Sequence, residues 1–211
     1  FKWEANHSQL VDCFVENGFV VVASLFDPKL INNLFCTVSS RYEELKEDFI
    51  NSNSDSDLSS VSVGISREII REVERSTLFY DITHSENLLD CLERFLGPDL
   101  AKTTPNALLI NDPMDKSPTI NKAMHQEVWT GSVPEDILVW IPLHRIEPNN
   151  TMSVIPGSHF FGLLPNRNRQ IVCPDGFELP QSLALSQLEE GDAVFLHPLL
   201  VHGTHGTVGK K

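Results

Sequence analysis

The sequence predicts a mainly β protein with N-terminal helices, in which an antiparallel sandwich or jelly roll forms the core. Two observations support this fold class. Apolar residues recur at helical spacing in the first part of the chain, and short apolar runs separated by turn residues follow. A chain of 211 residues has room for one well-buried domain. We therefore expect one domain over residues 1–211, with a helix-rich part at 1–100 and a jelly-roll core at 101–211.

The helix-rich part begins with a predicted helix between Asn6 and Gly18, and the apolar run at 19–23 indicates a buried strand. A long amphipathic helix is expected over residues 27–47, because an Asp-Pro pair at its start supplies a cap and a favourable first residue. Residues 51–60, NSNSDSDLSS, are nearly all small and polar. Such a segment buries too little surface to order itself, so we expect a mobile loop, with a substrate lid as the alternative.

The predicted core contains the apolar runs ALLI, ILVWIPL, MSVI and AVFL, which are followed by the turn-forming residues NDP, EPNN, PGS and HP. Runs of this length between such turns are typical of antiparallel strands. A sandwich or jelly roll is the architecture that buries them.

Composition excludes several classes of protein. A formal net charge of −13 disfavours binding to nucleic acid, and no apolar run approaches the length of a membrane span. The four cysteines are far apart and form no CxxC pair, so we expect the cytoplasm or another reducing intracellular compartment. The motifs HExxH, GxSxG, GxGxxG and the Walker loop are absent, and the sequence does not indicate an oligomeric state.

The triplet HQE offers two metal-binding side chains, His125 and Glu127. If residues 124–128 are extended, both side chains project from the same face of one strand. Alone, an H-x-E triplet is a weak signal, but His202 in HPLLVHG follows a predicted strand, and a jelly roll can bring the two strands together. Two imidazoles and one carboxylate form the facial triad that binds Fe(II) and leaves coordination positions open.

Several further segments carry a family resemblance. HQE, VWIPL, NNTMSVIPGSHFFG and GDAVFLHPLLVHGT occur in this order, and ENGFVVVASLFDPKLINNL precedes them. Together they resemble the phytanoyl-CoA dioxygenase family. The resemblance implies a double-stranded β-helix in which His125, Glu127 and His202 bind Fe(II). It also implies 2-oxoglutarate as cosubstrate, and ascorbate as an auxiliary cofactor.

The same resemblance implies positions that line the cosubstrate. Thr204 and Trp140 match two of them, and Gln126 and Leu108 match two more. Most family members have HQD, so Glu127 places the carboxylate one methylene further from the backbone. Related halogenases lack this carboxylate, so Glu127 favours oxygenation over halogenation.

The family also has an arginine shortly after the distal histidine, which pairs with the far carboxylate of 2-oxoglutarate. This chain reaches Lys211 without one. Arginine binds a carboxylate through two parallel hydrogen bonds, whereas lysine is only a point charge. We expect the arginine to lie on a C-terminal strand just beyond Lys211. The alternatives are that Lys210 or Lys211 replaces it, or that cosubstrate binding is lost.

The implied function is an Fe(II)- and 2-oxoglutarate-dependent dioxygenase that hydroxylates a C–H bond of a small-molecule or lipid-like substrate. Two alternatives stay open at this point. The chain could be a non-catalytic jelly-roll binding protein that retains the metal site, or a cupin-like metalloenzyme that does not use 2-oxoglutarate. The substrate cannot be read from the sequence.

The remaining histidines and the nearby cations have less specific interpretations. His159 is predicted to be a structural turn residue, while His197 and His205 stand at odd spacings from His202 and should face away from the metal. His7, His84 and His144 are predicted to be surface or core residues. The cations nearest the site in sequence are predicted to be solvated. They are Lys122, Arg145, Arg167 and Arg169.

Overall fold

The computed structural model describes residues 7–52, 61–102, 106–110, 122–146, 151–168 and 170–205. The helices are α1 (His7–Asn17), α2 (Pro28–Ser52), α3 (Val61–Val73), α4 (Thr77–Thr83) and α5 (Glu86–Leu96). The strands are β1 (Phe19–Val22), β2 (Leu138–Trp140), β3 (Thr151–Val154), β4 (Asn166–Arg167), β5 (Gln170–Ile171), β6 (Leu183–Ala184), β7 (Ala193–Leu196) and β8 (His202–His205). Two 3₁₀ turns, η1 (Glu127–Thr130) and η2 (Ser158–Phe161), complete the described elements.

The described strands form two three-stranded antiparallel sheets, ordered β1-β7-β2 and β6-β3-β8, and a short β4-β5 hairpin. All four residues of β7 are buried. Ala193 and Phe195 pack with the helices, whereas Val194 and Leu196 pack with Met152 of the second sheet. A strand buried on both faces is apolar at every position, which explains the continuous run AVFL.

Two hydrophobic cores therefore lie on opposite faces of the first sheet. The core between the sheets contains residues from both sheets and from the loops beside them. Its buried members are Ile146, Met152, Val154, Leu185, Leu188, Val194, Leu196 and Leu200. The core on the helical side contains the inward-facing stripes of the five helices, such as Ile31, Leu34 and Val38 of α2. Helices, first sheet and second sheet thus follow one another as layers.

Several predicted elements are confirmed. Helix α1 ends at Asn17, strand β1 follows it, and α2 begins at Pro28 with the Asp27 carboxylate accepting a hydrogen bond from the Lys29 backbone. The predicted loop at 51–60 is wrong at its first two positions, because α2 continues to Ser52. Residues 53–60 lie outside the described residues. Helices α3 and α4 were not predicted from the sequence.

The run ALLI forms no strand within the described segment 106–110. The other three apolar runs each contain a strand, namely β2, β3 and β7. Among the described helices, none combines the length and apolar character needed to cross a membrane.

Candidate metal centre

The backbone of the HQE triplet aims two side chains to one side. Gln126 is extended, with φ −119° and ψ 141°, so His125 and Glu127 flank it on the same face. The condition that residues 124–128 are extended is met at Gln126 but not beyond it, because Glu127 is the first residue of η1. This turn brings the hydroxyl of Thr130 back to the Glu127 carboxylate, at 2.6 Å from Oε2.

Strand β8 brings His202 to the same place. The backbones of His125 and His202 exchange two hydrogen bonds, of 2.8 and 3.0 Å, and the Thr204 amide donates to the Lys122 carbonyl at 2.9 Å. Gly203 permits this close approach, because a Cβ atom there would lie 2.9 Å from the Lys122 carbonyl oxygen. The segment before the triplet thus pairs with β8 as an additional edge of the second sheet.

The three side chains converge on one point. Their ligand atoms all lie within 4.8 Å of one another, and no other group of three such side chains converges in this way among the described residues. Glu127 Oε1 is 3.0 Å from His125 Nε2 and 3.5 Å from His202 Nε2. Both histidines are buried, with 7% and 5% of their surface exposed. The centre therefore lies in the protein interior.

Backbone carbonyls orient both imidazole rings. His125 Nδ1 lies 2.8 Å from the Ala123 carbonyl oxygen, and His202 Nδ1 lies 3.0 Å from that of Leu200. A carbonyl oxygen only accepts, so each Nδ1 carries a proton, and Nε2 is the nitrogen of each ring that faces Glu127 Oε1. Two ring nitrogens and one carboxylate oxygen that converge in this way can bind a metal cation, which takes the place of the Nε2 protons.

The protonation states also favour a metal. Burial opposes ionisation of Glu127, but hydrogen bonds with His125, His202 and Thr130 and the charge of Lys122 outweigh it, and the pKa lies well below its usual range. Burial lowers the pKa of His202, although Glu127 opposes this effect. An ionised carboxylate and a neutral imidazole are the forms that coordinate a metal ion.

The middle residue of the triplet points the other way. Gln126 is completely buried, and its amide nitrogen donates to the carbonyls of Gly162 at 2.9 Å and Leu199 at 2.7 Å. Its amide oxygen accepts from the Leu164 backbone at 2.9 Å. These bonds tie the triplet to the chain just before His202 and to the segment after η2. They use most of the amide's hydrogen-bonding capacity, and a role for Gln126 at the cosubstrate stays a prediction.

The other residues predicted to line the cosubstrate lie in different surroundings. Thr204 follows His202 by two positions on β8, and its hydroxyl accepts a hydrogen bond from the Lys122 backbone at 3.2 Å. Trp140 is half-buried against the core between the sheets. Leu108 packs with the helix-side core instead. No contact described in the structure tests these roles, which stay predictions.

Sequence reasoning missed three residues at this centre, Thr130, Lys122 and Gly203. Thr130 follows Glu127 by three positions, the spacing at which side chains meet on a 3₁₀ turn, so only the unpredicted turn concealed it. Lys122 was predicted to be solvated, and it is 39% exposed, but its ammonium also lies 3.7 Å from Glu127 Oε1. No local pattern indicates that contact, because the path of the chain between Lys122 and Glu127 depends on its pairing with β8.

His197 lies outside the ligand cluster, but the reason predicted for this is wrong. The residues between His197 and His202 form a turn rather than a continuous strand, so alternation does not apply to them. The His197 amide donates to the Gly18 carbonyl, and its ring lies 5.1 Å from the ring of His159. Both side chains thus lie where α1 meets the β core.

Fold and site together define a class: a protein with paired antiparallel sheets and a buried two-histidine, one-carboxylate metal centre. Comparison with known sequences is more specific. The chain belongs to the phytanoyl-CoA dioxygenase family, whose sequence profile matches residues 14–211.

Two relatives are peroxisomal phytanoyl-CoA dioxygenases. That of Homo sapiens is 28% identical and that of Bos taurus 26% identical, and each alignment covers 90% of this chain. The chain spans 61% of the length of each relative.

Solved structures share the fold. The epimerase SnoN, in complex with Fe3+, alpha ketoglutarate and nogalamycin RO, superposes with a TM-score of 0.61 at 13% identity, covering 97% of this chain and 79% of SnoN. The non-heme monooxygenase ThoJ superposes with a TM-score of 0.56 at 16% identity, covering 93% of this chain and 71% of ThoJ. At such low identity the likeness is one of fold.

Proposed function

We propose that this chain is the core of an Fe(II)- and 2-oxoglutarate-dependent dioxygenase that hydroxylates a C–H bond of a small-molecule or lipid-like substrate. One observation carries the proposal: Nε2 of His125, Nε2 of His202 and Oε1 of Glu127 converge from two separate elements. Two imidazoles and one carboxylate are the donor set that holds Fe(II) while leaving positions for other ligands. Family membership supports the proposal, as do the ligands of SnoN.

The finer architecture belongs to the same proposal. We infer a double-stranded β-helix that makes one domain of residues 1–211. Support comes from the facing three-stranded sheets and the core between them. We also infer a reducing intracellular compartment, which the free state of the four cysteines supports.

The residues present fit Fe(II), because they combine two imidazole nitrogens with one carboxylate oxygen. When bound, Fe(II) with 2-oxoglutarate and dioxygen supplies the oxidising chemistry, and 2-oxoglutarate becomes succinate and carbon dioxide. His125, Glu127 and His202 hold the ion, and the carbonyls of Ala123 and Leu200 keep the rings in register. Burial of the two histidines keeps bulk water from that side of the centre.

Succinate formation tests the proposal. The full-length protein, supplied with Fe(II), 2-oxoglutarate and oxygen, should release succinate, and ascorbate should help to sustain turnover. His125→Ala and Glu127→Ala should abolish this release. Glu189→Ala removes an exposed glutamate that pairs with Arg145 and should leave it unchanged. Near-normal succinate release by either ligand variant would contradict the assignment.

Equilibrium binding separates the alternatives. A protein that binds Fe(II) and 2-oxoglutarate but never releases succinate is a binding protein. A protein that binds Fe(II) and oxidises a substrate without 2-oxoglutarate is a cupin-like metalloenzyme. The predicted arginine lies outside the described residues. Lys210 and Lys211, which were considered as its replacements, also lie outside them. Titration of the full-length protein with 2-oxoglutarate addresses them.

A further inference from the structure

The ammonium group of Lys122 lies beside the carboxylate oxygen that faces the metal position. Its Nζ is 3.7 Å from Glu127 Oε1, the same oxygen that both imidazoles approach. The Lys122 side chain is 39% exposed, so it can also reach solvent and ligands. Lys122 is thus a cation at the edge of the metal centre.

Thr204 holds the Lys122 backbone in place. The Lys122 carbonyl accepts a hydrogen bond from the Thr204 amide at 2.9 Å, and the Lys122 amide donates to the Thr204 hydroxyl at 3.2 Å. Lys122 is therefore anchored to β8, the strand that carries His202. The backbone that carries the ammonium is thus fixed to the same strand as a metal ligand.

A divalent ion at this centre changes the partner that Lys122 needs. The ion and the ammonium would share one oxygen of Glu127, and like charges a few ångströms apart repel each other. One negative charge on Glu127, one positive charge on Lys122 and two on the ion leave two positive charges. A chelating dianion neutralises them.

We propose that Lys122 is an anion-binding residue of this centre, pairing with a carboxylate of the dianion that coordinates the metal. The inference rests on the proposed function, in which that dianion is 2-oxoglutarate. It identifies a cation inside the described chain that contributes to holding the cosubstrate. It gives Lys122 a role in addition to the solvated one predicted from the sequence.

The test separates metal binding from anion binding. Under anaerobic conditions, Mn(II) or Fe(II) is titrated into the full-length protein by calorimetry, and 2-oxoglutarate is then titrated into the metal-loaded protein. Lys122→Met should bind the metal alone at least as tightly as the parent, because a repelling charge is gone. It should bind 2-oxoglutarate about 10-fold more weakly, the low end for losing a charge-assisted hydrogen bond.

Two matched variants complete the experiment. Lys122→Arg keeps the charge and should retain most of the 2-oxoglutarate affinity. Lys102→Met removes a lysine that pairs with Glu74 at 3.8 Å instead, and should change neither step. The loss in Lys122→Met should also shrink as ionic strength rises, because the ammonium is partly exposed.

Unchanged 2-oxoglutarate affinity in Lys122→Met would overturn the proposal. So would an equal weakening of both steps, which indicates a structural role. Oxalate serves as a second titrant, because it is a chelating dianion that needs no site for a longer chain. If the parent binds oxalate but not 2-oxoglutarate, the proposed function fails. The oxalate affinities of parent and variant then still decide the role of Lys122.

Discussion

Within the described residues, two pairs of histidine rings lie close together, and they have different surroundings. His125 and His202 have ring centroids 4.4 Å apart, and His159 and His197 have centroids 5.1 Å apart. In the first pair, both Nδ1 atoms bond to backbone carbonyls and both Nε2 atoms face Glu127. Their free nitrogens therefore converge on one carboxylate.

In the second pair the backbone takes a different nitrogen from each ring. His159 Nε2 lies 3.0 Å from the Val15 carbonyl oxygen of α1, whereas His197 Nδ1 accepts a hydrogen bond from the Leu199 amide at 3.1 Å. This pair lies outside the ligand cluster found among the described residues. Two close histidines thus make a metal centre only where the backbone leaves matching nitrogens free and an acid lies between them.

The largest effect expected from this difference concerns metal affinity. Glu127→Ala should weaken Fe(II) or Mn(II) binding by more than about 100-fold, beyond what the loss of an outer hydrogen-bond partner usually costs. The double variant His159→Gln/His197→Asn should bind the metal like the parent. Each replacement keeps the nitrogen or oxygen that bonds to the backbone. Anaerobic calorimetry measures both, and strong loss of metal in the double variant would remove the distinction between the pairs.

The second effect concerns the packing of the His159 ring against Gly18. Gly18 has φ +76°, and a Cβ atom there would lie 2.4 Å from His159 Nδ1. Gly18→Ala should therefore lower the free energy of unfolding by about 2–4 kcal/mol, from backbone strain and overpacking together. Denaturant unfolding measures this change.

Gly157 provides the matched control for Gly18. Its φ is +74°, but a Cβ atom there would meet nothing closer than the Glu16 carbonyl oxygen at 3.9 Å. Gly157→Ala should cost only the backbone strain, about 1–2 kcal/mol. Equal losses in the two variants would show that His159 does not press against Gly18.

A smaller effect is expected at the acid between the first pair. Because Thr130 binds Glu127 Oε2 at 2.6 Å, it leaves Oε1 to face the imidazoles. Thr130→Val should weaken metal binding about 10-fold, while Thr130→Ser, which keeps the hydroxyl, should restore it. If Val and Ser bind the metal equally, the hydroxyl does not position the carboxylate.

The smallest effect concerns pH. Burial lowers the pKa of His159, although the hydrogen bond to the Val15 carbonyl opposes this effect. Burial also lowers the pKa of His197, and the charge of His159 lowers it further. Below about pH 6.5 the unfolded chain takes up these protons first, so stability should fall as the pH falls towards the folded pKa values. The melting temperature of the metal-free protein should follow this trend. The double variant His159→Gln/His197→Asn should show a shallower decline, and an equal decline would show that the pair does not contribute.

Local patterns in the sequence predict much of this protein for physical reasons. The run AVFL is apolar at every position because β7 is buried on both faces. The pair Asp27-Pro28 begins α2 because the Asp27 carboxylate accepts a hydrogen bond from a free backbone amide of the first turn, and proline has the backbone angle of a first helical residue. His125 and Glu127 share a face because Gln126 is extended. Each of these depends on residues close together in the chain.

Helices α3 and α4 were missed because each has only a short run of apolar residues at helical spacing, beside a polar segment. Their helical conformation depends on packing against α2. The continuation of α2 to Ser52 was also missed, because small polar residues alone favour a loop. The orientation of His197 was predicted from the alternation of side chains along a strand, but the chain forms a turn between His197 and His202.

The sequence by itself determined the family, the succession of a helix-rich part and a strand-rich part, and the residue types able to bind a metal, because local spacing and composition carry this information. Only the tertiary structure decided which nitrogens are free, that Thr130 and Lys122 adjoin the two sides of the Glu127 carboxylate, and that Gln126 ties the triplet to its surroundings. These contacts join segments distant in the chain or depend on a turn formed under packing. These contacts form only in the complete fold, so no short stretch of residues predicts them.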